Sequence, residues 1–315
     1  MLLQDIAKGN DPQILASLAV LSAVAPDLVV LTDFDHDLDQ QALSAFAAAA
    51  GMAHYFSLPP NTGLPTGEDI DGNGRLAEAR DMQGYGRFLG DGGMAVLSRY
   101  PILTGQATDL SGLLWAEFPG ATLPDPMTEA VAAVQRLSTT GHWIVPIAAP
   151  GGPVTLLASA HTPPVFDGPE DRNGLRNRDE LLVWRAVLDG KLAAAPQDFV
   201  IAANFNLDPA DGEGIRADLA AFLSDPRLQD PRPTSTGGAL AASPGHAGDP
   251  AVDTADWAET GPGNLRVSYV LPAAAWQVAG AGVFWPAPDA PEAGLLGGDG
   301  AAAGPHHLVW VDIVR

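Results

Sequence analysis

Apolar positions along this chain change their spacing several times, and each change marks an element. From Pro12 to Val24, Ile14, Leu15, Leu18, Val20, Leu21 and Val24 recur at helical spacing, and Pro26 closes the segment. Leu28 to Thr32 is an unbroken apolar run ending at Asp33, which predicts a buried strand, and the Ala-rich stretch 42–50 predicts a second helix. A long Gly-, Pro- and Asp-rich region over 59–93 precedes the strand Met94 to Ser98. Trp143 to Pro146 and Val154 to Ala160 read as a hairpin whose second strand delivers His161. Asp179 to Leu188 reads as a helix, 199–205 as a strand and 215–223 as a helix. Residues 234–256 read as a surface loop, and strands close the chain over 265–271, 276–284 and 308–314. Many short strands with few helices and long loops predict sheet packed on sheet with helices outside. No repeat or linker divides the chain, so residues 1–315 are expected to form one domain.

Composition narrows the classes. With 46% hydrophobic residues the chain has material for a sizeable core, and 35 Gly and 28 Pro imply many turns. A formal net charge of −22, with 16 Lys+Arg against 38 Asp+Glu, opposes binding to long nucleic acid, because backbone affinity comes from clustered basic residues. Cysteine is absent, which removes disulfides, thiolate metal sites and a Cys nucleophile. There is no apolar run of membrane-spanning length and no signal-peptide pattern at the start. The expectation is therefore a soluble protein, cytoplasmic by default, with no membrane partner.

Candidate chemistry gathers at strand ends and in loops. At the end of the strand 199–205, Asn204 and Asn206 lie two residues apart, so alternation sends both to one face, where they can converge on a ligand. Amides bring no negative charge for a cation. Asp69-Ile70-Asp71-Gly72-Asn73-Gly74 has alternating oxygen ligands and a glycine at the sixth place, like the first half of a calcium loop. The twelfth place is Arg80, with Glu78 and Asp81 close by, so a complete EF-hand is not expected, while a Ca²⁺-stapled loop or a plain turn both fit. Asp33, at a strand end, suits a hard divalent cation. His161, held between a strand and Thr162-Pro163-Pro164, is placed to move a proton or is simply hydrogen-bonded in a loop. Of His306 and His307, alternation points one toward the site and one away. Arg172, Arg176 and Arg178 concentrate basic charge that suits phosphate, or ion pairs with Asp167, Glu170, Asp171 and Asp179.

In order and spacing, several segments together resemble the endonuclease/exonuclease/phosphatase superfamily, the deoxyribonuclease-I-like fold. They are Pro26 to Asp33, Gly93 to Ile102, His161 to Pro164, Asn204 to Pro209, Leu265 to Pro272 and Pro305 to Trp310. The resemblance implies an α/β (α+β) protein built as a four-layered sandwich, two packed mixed β-sheets flanked by helices. It also implies metal-dependent phosphoester hydrolysis with Mg²⁺ or Mn²⁺ held near Asp33 and with His161, Asn204, Asn206 and His306 as the catalytic positions. Arg172 and Arg176 become candidates to bind a small phosphorylated molecule. The chain departs from the pattern where Asp33 stands for a longer Glu and where Asn204, Ser268 and Pro305 stand for acids. The strand with which relatives begin has no counterpart before Pro12. Loss of one essential catalytic group commonly costs about 10³-fold or more, so hydrolysis is expected to be weakened or lost. The alternatives are an active divalent-metal phosphoesterase on a small substrate, with Asp208 or Asp35 substituting, and a calcium-stabilised interaction domain.

Overall fold

The computed structural model describes residues 2–298 and 300–315, so Met1 and Asp299 lie outside the described residues. The helices are α1 (Leu2–Lys8), α2 (Pro12–Val24), α3 (Gln41–Ala49), α4 (Glu129–Val134), α5 (Arg172–Leu188), α6 (Arg216–Leu223) and α7 (Thr236–Leu240). The strands are β1 (Leu28–Phe34), β2 (His54–Phe56), β3 (Gly93–Ser98), β4 (Thr108–Asp109), β5 (Gly141–Ile147), β6 (Val154–Ala160), β7 (Phe199–Asn204), β8 (Ser268–Pro272), β9 (Gln277–Val283) and β10 (Val309–Val314).

The strands form a five-stranded sheet in the order β4-β5-β6-β7-β8, a three-stranded sheet β1-β3-β2 and a two-stranded ribbon β10-β9. Only the five-stranded sheet is mixed: β6 and β7 are parallel, and all other pairs are antiparallel. Burial explains the layering. β3 is buried at every position, with Met94 and Val96 facing Trp143, Val145 and Leu156 of the five-stranded sheet. Its alternate residues, Ala95 and Leu97, pack under Leu21 of α2 and Leu43 and Phe46 of α3. The far face of the five-stranded sheet, with Leu157, Ile201 and Leu271, packs on Trp184 and Val187 of α5 and Leu219 and Phe222 of α6. The four layers are therefore helices, three-stranded sheet, five-stranded sheet, helices, as the apolar pattern and the resemblance predict.

Asp11 caps α2, its carboxylate accepting the Ile14 N–H at 3.0 Å, and Pro12 opens the helix where its missing N–H costs nothing. Three local expectations need correction. The expected loop 234–256 contains the short α7, capped by Ser235, whose hydroxyl accepts the Gly238 N–H at 3.0 Å. α5 begins at Arg172, seven residues before the apolar stripe, because its first two turns bury polar side chains instead of apolar ones. α1, β2 and α4 are too short to show a periodic pattern. Among the described residues no helix is long and apolar enough to cross a membrane.

Candidate functional site

β6 and β7 run side by side and end together, so their exits share one edge of the sheet. The His161 N–H donates to the Asn204 carbonyl at 2.9 Å, and the Asn206 side-chain amide donates to the His161 carbonyl at 2.6 Å. The Asn204 side-chain oxygen accepts the Asn206 N–H at 3.0 Å. β7 stops at Asn204, and Asn206 has a left-handed backbone with φ 50°. Strand alternation therefore does not extend to Asn206, and the two amides close a turn on each other and on the backbone. Asn204, Asn206 and the His161 main chain come together as expected, but each amide already has a backbone partner.

The His161 ring lies inside the protein, 3% exposed, stacked between His142 at 5.1 Å and Phe205 at 4.9 Å. Its Nε2 meets the Ser159 hydroxyl at 2.8 Å, and Nδ1 has no hydrogen-bond partner. Burial first, then proximity to His142, holds its pKa well below the usual imidazole value. A ring so enclosed stays neutral and has no direct path to a ligand. His142 is wholly buried, its Nδ1 2.6 Å from the Ser138 hydroxyl and its Nε2 3.0 Å from the Glu180 carbonyl oxygen, and burial brings it down to about 3.

His306 and His307 enter from the segment before β10. The main chain at His306 bridges to Ala255, and the His307 N–H donates to the Thr254 carbonyl at 2.8 Å. Both residues border one cleft of ≈ 1190 Å³, together with Asn204 and Ser268, while their rings pack on different tryptophans, His306 edge-on to Trp257 at 5.2 Å and His307 stacked on Trp285 at 4.1 Å. Nδ1 of His306 and Nε2 of His307 are buried without partners. Burial lowers both, His307 to about 4.

Asp33 ends the regular part of β1 with a left-handed backbone, φ 58°, where the register with β3 shifts. The residue is exposed, yet neighbours crowd its carboxyl, and burial followed by the charges of Asp35 and Asp91 raises its pKa. Gly92 explains the closeness. A Cβ there would lie 2.7 Å from Asp33 Oδ1, and the Gly92 N–H donates to Asp35 at 3.1 Å. Three acids around one glycine are a repulsive set that a divalent cation would relieve. Asp208 is spent differently: its carboxylate accepts N–H groups from Ala210 at 2.6 Å, Asp211 at 2.8 Å and Arg266 at 2.6 Å.

The 69–81 loop closes as a turn of acids. Asp69 accepts the N–H groups of Asn73 at 3.1 Å and Gly74 at 2.7 Å, while Gly72 and Gly74 take positive φ. Asp69, Asp71 and Asp81 offer oxygens within 4.8 Å of one another. Asn73 lies against the same acids: its amide nitrogen donates to Asp71 (3.1 Å) and Glu78 (2.8 Å), and its oxygen accepts the Arg75 N–H. Asp81 joins Asp69 and Asp71 in the acid set. It is 2% exposed and accepts the N–H groups of Ile70 and Glu78, each at 3.0 Å.

The arginine expectation also changes. Arg176 is buried, and its guanidinium donates to four carbonyls, those of Leu137, Gln83, Arg136 and Ser138, at 2.6–3.2 Å. Through Nε and Nη2 it ties the loops to α5. Arg172 donates to the Gln135 side-chain oxygen at 2.8 Å. One acid escaped the sequence reading. Asp253 is 7% exposed, and burial followed by the charge of Asp208 pushes its carboxyl up to about 7. Nothing in the Ala- and Gly-rich stretch around it signals that burial.

A family profile described as "Endonuclease/Exonuclease/phosphatase family" matches residues 5–300. Among solved structures, the chain is similar to an endonuclease/exonuclease/phosphatase family protein from Leptotrichia buccalis C-1013-b. The identity is 13%, the TM-score 0.52, and the coverage 96% of this chain and 93% of that one. It is also similar to the human Nocturnin catalytic domain with bound sulfate anion, at 14% identity and TM-score 0.50, covering 97% of this chain and 87% of that one. At such identities the likeness is one of fold. No curated protein sequence matches.

Proposed function

The chain belongs to the endonuclease/exonuclease/phosphatase family, and from that premise we propose that it is a binding protein for a small phosphorylated molecule whose metal-dependent phosphoester hydrolysis is weakened or lost. The observation that carries this reading is the state of its inherited positions. Asn204 and Asn206 are bonded to backbone, His161 is stacked in the core, and Ser268 borders the cleft where relatives would bring an acid. Without acids at 204, 268 and 305, only the group of Asp33, Asp35 and Asp91 is left to hold a cation against a phosphate, and little is left to move a proton to the leaving oxygen. The net charge of −22 argues against long nucleic acid as the ligand.

The test is turnover of a generic phosphodiester and a generic phosphomonoester with Mg²⁺ or Mn²⁺. The expected result is no rate above background. Turnover abolished in His161→Ala would overturn the proposal.

A second reading, an active phosphoesterase on a small substrate, is favoured by the crowded acids Asp33, Asp35 and Asp91. Asp33 would hold Mg²⁺ or Mn²⁺ with Asp35 and Asp91 beside it, and the ion would supply charge stabilisation at phosphate oxygens when bound. The donor set fits a cation on one side only. Calorimetric titration with Mn²⁺ decides it: micromolar binding lost in Asp33→Asn supports a metal centre here, and no heat removes it. The acids Asp69, Asp71 and Asp81 would separately favour Ca²⁺ in the loop, a structural staple that implies no catalysis.

A further inference from the structure

Among the described residues five acids have buried side chains: Asp81, Asp179, Glu180, Asp208 and Asp253. Four of them accept at least two N–H groups each. Asp81 is met by Ile70 and Glu78, Asp179 by Trp115, Thr122 and Arg178, Glu180 by Thr139 and Thr162, and Asp208 by Ala210, Asp211 and Arg266. The fifth differs: the Asp253 carboxyl, 7% exposed, takes no hydrogen bond and no ion pair from any described residue. A carboxylate buried without donors or a counter-charge is strongly unfavourable, so the place calls for a proton or a cation.

Hydrogen bonds in which the Asp253 side chain has no part bring other acids round it. Asp208 accepts the Arg266 N–H, and the two neighbours of Arg266 bond Thr254: the Thr254 N–H donates to the Leu265 carbonyl at 3.0 Å, and the Thr254 hydroxyl accepts the Val267 N–H at 2.9 Å. Asp211 accepts the N–H groups of Ala247 at 2.8 Å and Gly248 at 2.7 Å. A Cβ at Gly248 would lie 2.8 Å from Asp211 Oδ2, so glycine lets that carboxylate approach. Asp249 accepts the Ala251 N–H at 3.0 Å and caps the short turn that Asp253 ends. Burial first, then the charge of Asp208, with Asp211 and Asp249 adding to it, disfavours the ionised form of Asp253. Of the basic side chains, His246 lies beside it, while Arg266 is spent on Asp230 at 2.5 and 2.8 Å and Arg216 donates to the Ala210 carbonyl. A proton would neutralise Asp253 alone; a divalent cation offsets the four acids together.

We propose that Asp253, with Asp208, Asp211 and Asp249 around it, binds a Mg²⁺-type divalent cation that ties the 247–254 segment to the turn after β7. Among the described residues only Asp69, Asp71 and Asp81 gather three acid oxygens within 4.8 Å of one another, so the set around Asp253 is wider. That spread suits Mg²⁺, which keeps several waters and takes one or two carboxylates directly, whereas Ca²⁺ needs more oxygens gathered round it. The cation acts on position. Thr254, next to Asp253, holds the Ser268 N–H through its hydroxyl at 3.0 Å and the His307 N–H through its carbonyl at 2.8 Å, and Asp208 lies two residues beyond Asn206. Binding therefore stiffens the segments that carry Asn206, Ser268 and His307. The proposal is independent of hydrolysis and of any ion at Asp33.

The test uses the 315-residue chain carrying Asp33→Asn and Asp71→Ala, which disable the other two acid sets, after treatment with a chelator. Tm and amide hydrogen exchange over 243–256 are read with MgCl₂ at about millimolar concentrations and with NaCl of matched ionic strength, because salt alone relieves self-repulsion. The expected result is a saturable Tm rise of about 3 °C or more over the NaCl control, with slower exchange over 243–256. Adding Asp253→Asn is expected to abolish both. In ion-free buffer Asp253→Asn keeps the Tm of its parent or exceeds it, because the amide brings no charge against the neighbouring acids. Asp249→Asn, which keeps a capping side chain, is expected to weaken the ion several-fold. Equal Tm in MgCl₂ and matched NaCl would overturn the proposal, as would a Mg²⁺ effect that survives Asp253→Asn. A fall of several degrees in the ion-free Tm of Asp253→Asn would make Asp253 a structural acid and would equally overturn it.

Discussion

Arg176 and Glu180 lie one helical turn apart on α5, and both are buried. Glu180 accepts the N–H groups of Thr139 at 2.6 Å and Thr162 at 2.7 Å, joining the 139–142 segment to the exit of β6. Arg176→Met takes the guanidinium donor from the carbonyls of Leu137, Gln83 and Arg136, while the Ser138 carbonyl keeps the Asn61 amide. We expect a loss of about 3 kcal/mol or more in urea unfolding. Burial pushes Glu180 up to about 7, as it does Asp253, so in the folded protein both keep their proton where an unfolded carboxyl, near 4.5 or 3.8, has lost it. Their stabilising contribution is present below the unfolded value and is lost as pH rises to about 7. His142 and His307 act in the opposite sense. They stay neutral below the ordinary 6.5, and their contribution is lost as pH falls from 6.5 toward about 3 and 4. Glu180→Gln removes one carboxyl term, so the stability of wild type minus variant should grow as pH falls from 7 toward 4.5. The growth is at most about 1.4 kcal/mol per pH unit. Parallel pH profiles for the two proteins would remove Glu180 as a titrating group.

The 69–81 loop shows how an element can be organised by one buried acid rather than by its exposed motif. Asp81 anchors both ends of the turn through Ile70 and Glu78, whereas Asp71 is exposed. Asp81→Asn should cost about 1–2 kcal/mol and speed proteolysis within 66–82 even without calcium. Asp71→Ala should cost less than about 0.5 kcal/mol in the same buffer. If Ca²⁺ occupies the loop, it raises Tm in wild type and not in Asp71→Ala, which melting curves with and without the ion resolve. The β3 entry is a similar case. Gly92 has φ 56°, and a Cβ there would meet Asp33 Oδ1 at 2.7 Å, so Gly92→Ala should lower Tm through backbone strain and displace the Asp33 carboxyl.

For the molecule as a whole, excess negative charge and two sheets that lie on the five-stranded sheet without pairing edge to edge are the two dominant facts. With 38 acids against 16 basic residues, self-repulsion should be relieved by salt. Tm is expected to rise between about 20 and 300 mM NaCl, and duplex DNA should not be retained in a gel shift even at the lower salt. The three-stranded sheet and the two-stranded ribbon both pack on the five-stranded sheet, β1 against β7 and β10 against β8, yet they do not pair with each other. The cleft between them connects the far end of the sandwich to Asn204, Ser268 and the two histidines.

The sequence by itself determined the layers. The apolar run 94–98 is continuous because both faces of β3 are covered, and that continuity is legible without coordinates, whereas the similar run Leu28 to Thr32 forms a strand as expected but buries only Val29, because β1 borders the cleft. Helical spacing gave α2 its bounds, from Pro12 to Val24, because capping and proline chemistry act locally. The order of the strand-end motifs carried the family likeness. Tertiary structure alone decided the use of each polar side chain. Arg176 in a basic segment became a buried tie, His161 at a strand exit turned into the core, and Asp253 in a featureless loop became a buried acid. Asn206 left the face that alternation assigned to it once its backbone turned left-handed. The physical reason is that a hydrogen-bonding side chain is assigned by the partners that distant segments bring to it, which spacing along the chain does not encode.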